Sequence, residues 1–369
     1  MSVQGPVGML AAAHTSLAAG SCCPHIDAPS PAAWAPPAID ASALLAAPDG
    51  ASRLAAAIRT APDGVLLLRN ALEAPFDSIA SLFGSVTAER AARANAAYQA
   101  GTSRLVWKDA HGEGRGGPNV DFKRVIDLSP HRMESLKSAD PALAAELGEP
   151  LQAALGFFSA ARDAYGPLLV AALREATGFG FDEEEARYAF RLVDYGERKL
   201  QAGAGASVAP RCGAHRDFGP ATLVWPGGEG LGVKVAGAWQ RLPRLPAGTA
   251  VLLFGICTAW RSNDRIPAAE HRVADDPALL GGAAGVTPRR LSAVLFVGLR
   301  DSAMLAPALL APDEKPRYCE TTVGSVQPTV RRKWSWREGS VTAEEAAAEV
   351  EERAQFDSQE ALIAALYKP

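Results

Sequence analysis

No Lys or Arg precedes Arg53 in this chain. A secretory leader opens on positive charge and an organelle transit peptide is usually Arg-rich, so the Ala/Pro/Ser-rich start fits neither. It reads as a disordered extension over residues 1–35, and a cytoplasmic location is the expectation. Cysteine is scarce: five in all, irregularly spaced, with only Cys22 and Cys23 close together. That excludes a disulfide framework and metal-finger spacing, and points to free thiols in a reducing compartment. No apolar run reaches the length of a membrane-spanning helix. Strong charge of either sign is missing too. A net charge of −4 gives no reason to expect nucleic acid or an anionic membrane as partner, and nothing calls for an obligate protein partner.

What is present is enough for a large core. At 369 residues the chain can form one big domain or a domain with a helical annex. Order is expected from about Pro37-Ala38-Ile39-Asp40. A helix around Arg53 to Arg59 follows, then a buried strand at Gly64 to Leu68 opened by the turn Pro62-Asp63-Gly64, then a helix from about Pro75 to Phe83. Residues 101–118 are rich in Gly and charge without periodicity, which suits a binding loop. Leu151, Leu155, Phe158, Tyr165, Leu169 and Leu173 recur at helical spacing and predict a long bracing helix from about Pro150 to Thr177, stopped by Gly178.

Between Tyr188 and Val297 the pattern changes to short strands punctuated by Gly and Pro. Eight are expected: Tyr188 to Tyr195, Cys212 to Arg216, Thr222 to Trp225, Gly232 to Val235, Trp239 to Leu242, Ala250 to Phe254, Glu270 to Val273 and Leu291 to Val297. No helices alternate with them, so a double-sheet jelly roll is expected rather than βαβ units. The fold class is α+β, mainly β: a double-stranded β-helix braced by N-terminal and long central helices. The organisation expected is residues 36–187 as supporting strands and helices, 188–300 as the core, and 301–369 as a C-terminal segment with a helix over 342–366, placed to cover the active site.

The chemistry gathers at His215-Arg216-Asp217, with His271 downstream. Two imidazoles and one carboxylate make a facial triad that holds Fe(II) by one face and leaves positions open for substrate and O2. At i and i+2 on a strand, His215 and Asp217 point to one face. His271 must arrive from another strand. Arg290 and Ser292, again two apart, share a face on a third. The remaining histidines, His14, His25, His111 and His131, read as structural or surface residues. His215-Arg216-Asp217-Phe218-Gly219 also spells two protein-kinase signatures overlapped on one aspartate. A kinase needs two aspartates, a Gly-rich loop and a strand lysine, so that reading fails. Gly227-Gly228-Glu229-Gly230-Leu231-Gly232 lacks dinucleotide-loop spacing and reads as a turn.

Taken in order, several segments resemble the isopenicillin N synthase-like branch of the 2-oxoglutarate- and Fe(II)-dependent oxygenases. They are Ile39-Asp40, Gly64 to Asn70, Phe190 to Tyr195, Ala214 to Gly219, Gly230 to Val235 with Gly237-Ala238-Trp239 and Pro246-Ala247-Gly248, Ser262-Asn263, Glu270 to Val273, and Arg290-Leu291-Ser292. The resemblance covers about residues 36 to 318. It implies a non-haem iron oxygenase that hydroxylates, desaturates or cyclises a small organic substrate while 2-oxoglutarate is decarboxylated to succinate and CO2. His215, Asp217 and His271 are the implied iron ligands. Arg290, Ser292 and Tyr195 are the implied co-substrate contacts, Arg290 as a bidentate fork, with Arg289 its rival. Asp217 stands where related halogenases carry a small residue, so halogenation is disfavoured. Candidate substrate contacts are Arg191 and, in the loop from Gly101 to Lys123, Arg104, Trp107, Arg115 and Asn119; solvated loop charge is the bland alternative. Val193, Ile256 and Asp264 depart from the pattern of plant members, which puts a plant hormone or flavonoid subfamily in doubt. Two rivals stand beside the main reading: an Fe(II)/O2 oxidase of the same fold without 2-oxoglutarate, which shares the Arg-x-Ser, and a non-catalytic jelly-roll binding protein.

Overall fold

A computed structural model of the chain describes residues 34–97, 108–109, 123–128, 130–178, 183–199, 211–275 and 285–327. The 1–33 stretch, most of the loop between Gly101 and Lys123 (with Arg104, Trp107, Arg115 and Asn119) and the tail over 342–366 lie outside the described residues. All elements below belong to one compact unit that begins at Ala35. In its first part come β1 (Ala38–Asp40), α1 (Ala41–Ala46), α2 (Gly50–Arg59), β2 (Val65–Arg69), α3 (Phe76–Ser85) and α4 (Ala88–Ala97). Then follow β3 (Lys108–Asp109), β4 (Arg124–Leu128), α5 (Pro130–Ala139), α6 (Pro141–Thr177), β5 (Ala186–Tyr195) and β6 (Arg198–Lys199). The remainder is β7 (Cys212–His215), β8 (Ala221–Pro226), β9 (Leu231–Val235), β10 (Ala238–Arg241), β11 (Ala250–Phe254), α7 (Ile256–Arg261), β12 (His271–Val273), β13 (Val286–Thr287) and β14 (Arg290–Leu299).

The strands form two main sheets. An eight-stranded sheet has the order β1-β2-β11-β8-β14-β5-β4-β3, and a four-stranded one the order β10-β9-β12-β7. Only β1 and β2 pair parallel; the other ladders of both sheets are antiparallel. This is the mainly β, double-sheet architecture that eight short Gly/Pro-bounded strands predicted. Each of those eight forms, with no end shifted by more than two residues. Not foreseen were α1, α4, α5, α7 and the short strands β3, β4, β6 and β13.

Alternation divides the large sheet by chemistry. On β14, Leu291, Ala293, Leu295 and Val297 join the apolar core together with Phe190 and Leu192 of β5 and Leu223 and Trp225 of β8. That face packs on α6, where Phe158 stacks on Phe190 at 5.2 Å and Phe157 meets Trp225 edge-on at 5.0 Å. The opposite, inner face presents Arg290, Ser292, Val294 and Phe296 of β14. So α6 fixes the sheet from behind and leaves the polar positions of β14 for the chamber. The helix begins earlier than its heptad-like pattern predicts. Asp140 caps it by accepting from Leu143 N–H at 2.9 Å, and Gly148, at φ 48°, kinks it just before Pro150. The expected start therefore coincides with the second limb. Gly178 ends it in the left-handed region at φ 65°, as predicted.

Asp264, one of the departures noted above, sits at φ 65°, a conformation Asp tolerates better than most residues. Its carboxylate accepts from Tyr318 Oη at 2.6 Å, a contact glycine would lack.

Candidate metal centre and anion anchor

β7 ends at His215, and the chain bends just after Asp217, at Phe218 to Pro220. The strand expected over Cys212 to Arg216 thus ends one residue early, with His215 its last residue and Asp217 just beyond it. What aims Asp217 is the corner after β11. Ile256 N–H donates to Asp217 O at 2.8 Å, Cys257 N–H to Phe218 O at 3.0 Å, and Gly255 N–H to Pro220 O at 3.0 Å. A Cβ on Gly255 would stand 2.1 Å from Gly219 O and 2.5 Å from Asp217 O, so only glycine permits this approach.

β12 pairs antiparallel with β7 and sets His271 directly opposite His215. Ligand atoms of His215, Asp217 and His271 all lie within 4.8 Å of one another, and all three side chains are nearly buried. Each imidazole is steered by a carbonyl two residues back: His215 Nδ1 lies 2.8 Å from Gly213 O and His271 Nδ1 3.0 Å from Ala269 O. A carbonyl only accepts, so Nδ1 carries the proton and Nε2 is turned inward as the donor atom. His215 Nε2 stands 3.5 Å from Asp217 Oδ1, and His271 Nε2 3.9 Å from Oδ2. Burial alone would raise the Asp217 pKa, but His271 and His215 outweigh it and keep the carboxyl well below its usual range. The donor set is two nitrogens and one carboxylate on one face, which fits iron(II) with open positions and not a closed structural zinc site.

On the inner face of β14, Arg290 is 3% exposed and Ser292 2%. Arg290 Nε donates to Gly228 O at 3.2 Å, in the bend that the sequence read as a turn. Nη1 and Nη2 of Arg290 and Oγ of Ser292 are buried with no hydrogen-bond partner among the described residues. Unmet donors of this kind are expensive unless a ligand satisfies them. Tyr195 is the cross-strand partner of Arg290, and the guanidinium carbon lies 5.1 Å over its ring. Three buried donors on one face of one strand make an anion cradle suited to a carboxylate.

No protein-family model and no curated protein matches the sequence. Solved structures do match. A full-length Neurospora crassa protein in complex with alpha-KG superposes with a TM-score of 0.59 at 20% identity, covering 80% of this chain and 94% of that one. The dioxygenase for auxin oxidation in rice gives 0.56 at 19% identity, over 80% and 95% of the two chains. A putative 2OG-Fe(II) oxygenase family protein of Caulobacter crescentus gives 0.56 at 18%, over 80% and 97%. The fold is that of the 2-oxoglutarate/Fe(II) oxygenases. On this oxygenase fold the His-Asp-His site stands where β7 and β12 of the four-stranded sheet pair, and the anion cradle on β14 of the eight-stranded sheet.

The oxygenase fold also separates Arg290 from its neighbour. Arg289 points to the opposite face, where Nε and Nη2 donate to Asp194 at 2.9 and 3.1 Å, beside Arg124 on the same buried carboxylate. Arg191 lies on the inner face, paired with Val294 across the strand and bound by Asp127 at 2.6 and 2.8 Å, its guanidinium 5.8 Å from the Phe296 ring. Sequence reasoning missed Asp127 and Phe296. The β-branched pair Val125-Ile126 was a strand signal, but five residues beside a long irregular stretch gave it little weight. Lys123 was seen only as a loop end; it is 6% exposed and its Nζ donates to Cys212 Sγ at 3.3 Å, next to His215. Cys212, Cys257 and Cys319 are in no disulfide among the described residues. Among the described residues no helix is long and apolar enough to cross a membrane.

Proposed function

We propose that this chain is a non-haem Fe(II), 2-oxoglutarate-dependent oxygenase of the isopenicillin N synthase-like type that oxidises a small organic substrate in the cytoplasm. One observation carries the reading: two buried guanidinium nitrogens and a buried hydroxyl without partners among the described residues, in a chain that also gathers a His-Asp-His cluster. His215, Asp217 and His271 are assigned as metal ligands, and Arg290, Ser292 and Tyr195 as the cradle for the far carboxylate of 2-oxoglutarate. Iron and 2-oxoglutarate, when bound, supply the O2-dependent oxidation of a substrate C–H bond with release of succinate and CO2.

The chain's own residues define the rest. Arg290 neutralises and orients the carboxylate as a two-pronged donor, and Ser292 adds a hydroxyl; charge-assisted bonds of this kind contribute about 1.5–3 kcal/mol each. Gly213 and Ala269 carbonyls keep the imidazoles in the tautomer that ligates. Asp217 occupies the third ligand position, which supports oxygenation over halogenation. Arg191, clamped by Asp127, is the substrate contact we assign on the described part of the chamber. The Neurospora crassa protein of the same fold also forms a complex with thymine, at 19% identity to this chain, so a small planar substrate is within the reach of such a chamber.

The test is anaerobic addition of Fe(II) and then 2-oxoglutarate to metal-free protein, monitored in the visible range. A charge-transfer band that is lost in Arg290→Ala is the expected result and justifies screening substrates by succinate release. Iron binding without the band overturns the 2-oxoglutarate assignment in favour of an oxidase that draws all four electrons from its substrate. No iron binding at all points instead to a non-catalytic jelly roll.

A further inference from the structure

One buried ion cluster ties the strands that carry the two imidazoles to the strands that carry the anion anchor. Its centre is Arg211, 4% exposed and the residue just before β7. Asp275, two residues past β12, sets Oδ1 2.7 Å from Arg211 Nε and pairs as well with Arg198 of β6. The ladder of β7 with β12 runs from His215 opposite His271 to Cys212 opposite Val273, so Arg211 and Asp275 meet just beyond its end. The rest of the Arg211 guanidinium reaches the other side of the fold. Nη1 donates to Pro288 O at 3.0 Å, and Nη2 to Thr287 Oγ1 at 2.8 Å, Pro288 O at 3.0 Å and Gly196 O at 3.2 Å. Gly196 follows Tyr195, Pro288 precedes Arg290 by two residues, and Tyr195 opposite Arg290 is the end rung of β5 on β14. Thr287 Oγ1 donates in turn to Arg198 O at 3.2 Å, across the pair that β13 makes with β6.

Such a cluster adds little stability over well-packed apolar side chains, because desolvating the charges offsets their attraction. Geometry is what it supplies. A guanidinium is a rigid planar fork, so Arg211 holds Asp275, Thr287, Pro288 and Gly196 at fixed relative positions, which the single ammonium of a lysine does not. We propose that this cluster, with Arg211 as its positioning residue, fixes the spacing between the metal ligands and the anion anchor and thereby sets the length of 2-oxo dicarboxylic acid that the site accepts. This rests on the reading of the His-Asp-His cluster and Arg290 as the two ends of the 2-oxoglutarate site. An acid held at both ends, by the metal at its 2-oxo acid group and by Arg290 at its far carboxylate, measures the separation between them. In a rigid frame one methylene too many is worth about 10- to 200-fold in discrimination. A frame that yields loses that difference.

The experiment loads full-length protein with Fe(II) under anaerobic conditions and titrates it with 2-oxoglutarate or with 2-oxoadipate, which is one methylene longer, following the visible charge-transfer band. Wild type, Arg211→Lys, Thr287→Val and Thr287→Ser are compared, together with the Tm of each metal-free form. Wild type is expected to prefer 2-oxoglutarate by about 10- to 200-fold. Arg211→Lys keeps the charge and loses the fork, and its preference is expected to fall by at least about fivefold. Thr287→Val deletes one acceptor of that fork with little change of shape and should lower the preference by about two- to threefold, with Thr287→Ser restoring it. Fe(II) affinity should change by less than about tenfold in each variant, the smallest loss usual when a group orienting a metal ligand is removed. A merely structural cluster would lower the Tm and leave the ratio of the two affinities where wild type has it; that result in the folded variants overturns the proposal. Should Arg211→Lys fail to fold, the two Thr287 variants decide by the same ratio. A wild type that takes both acids equally well also overturns it. Fe(II) binding with no band for either acid in wild type sinks the 2-oxoglutarate reading first, and the spacing proposal with it.

Discussion

His215 and His271 are direct partners across the β7–β12 ladder, their ring centroids 4.1 Å apart. Two imidazoles so close are held there by the ladder and by their own carbonyl contacts, not by attraction to each other. Removing one should therefore empty the metal site without unfolding the sheet. His215→Ala is expected to lose iron-dependent turnover and to weaken Fe(II) binding by at least about 100-fold, since a ligand counts for more than the groups that orient it. Measured above about pH 9, where the His215 proton no longer contributes, its metal-free Tm should stay within a few degrees of wild type. Full activity in this variant would sink the triad.

The same pair gives a pH dependence. Burial works against a charged His215 ring, but Cys212 and Asp217 beside it outweigh burial and hold its pKa up at about 9, against 6.5 for an ordinary imidazole. In the metal-free protein this proton contributes stability that is fully present below pH 6.5 and fades as pH rises through about 9. A metal must displace the same proton. Its affinity should climb by about tenfold per pH unit across that window and flatten above it. Co(II) titrations at several pH values, paired with melting curves of the metal-free protein, should show the two trends running in opposite directions. An affinity independent of pH there would mean that His215 binds no proton the metal has to remove.

Arg290 and Arg289 are adjacent in sequence and opposite in consequence. Arg290 keeps an uncompensated buried charge for a ligand, so Arg290→Met should raise the melting temperature of ligand-free protein while abolishing the 2-oxoglutarate band. Arg290→Lys keeps the charge but not the fork, and should weaken 2-oxoglutarate by about 10- to 100-fold with iron affinity unchanged. Arg289→Ala removes one of two arginines from the buried Asp194 and should cost about 1–3 kcal/mol of stability with the band intact. Denaturant melts and the anaerobic band on the three variants decide the matter. Exchange of these phenotypes would make Arg289 the anchor.

The triad and the anchor were legible because metal chemistry constrains residue types at short spacing: His215 and Asp217 two apart, Arg290 and Ser292 two apart. The strands around them were legible from Gly and Pro punctuation. Less visible was anything that depends on chain reversal. Asp217 leaves the strand because Gly255, thirty-odd positions on, fits against it, and no local pattern announces that approach. Asp127 reaches Arg191 only through the β4–β5 register, and Lys123 reaches Cys212 only once β4 has been placed. Such contacts are set by tertiary packing, which overrides weak local signals in short strands.

Gly255 turns this difference into a measurement. Alanine there would place its Cβ against the carbonyls of Gly219 and Asp217, both backbone and neither able to rotate away. Relief requires the corner between β11 and α7 to separate from the bend that carries Asp217, breaking the bonds from Ile256 and Cys257. Gly255→Ala is expected to lose about 1–3 kcal/mol of stability, the usual cost of forcing an atom into packed surroundings, and to weaken Fe(II) together with it. Gly84 supplies the control: a Cβ there meets nothing within 4 Å on the exposed side of α3. Gly84→Ala should stabilise by about 0.5–1 kcal/mol through helix propensity and leave Fe(II) affinity untouched. If Gly255→Ala melted earlier yet bound Fe(II) as wild type does, the corner would serve the fold alone, and the aim of Asp217 would have to come from the β7 strand end.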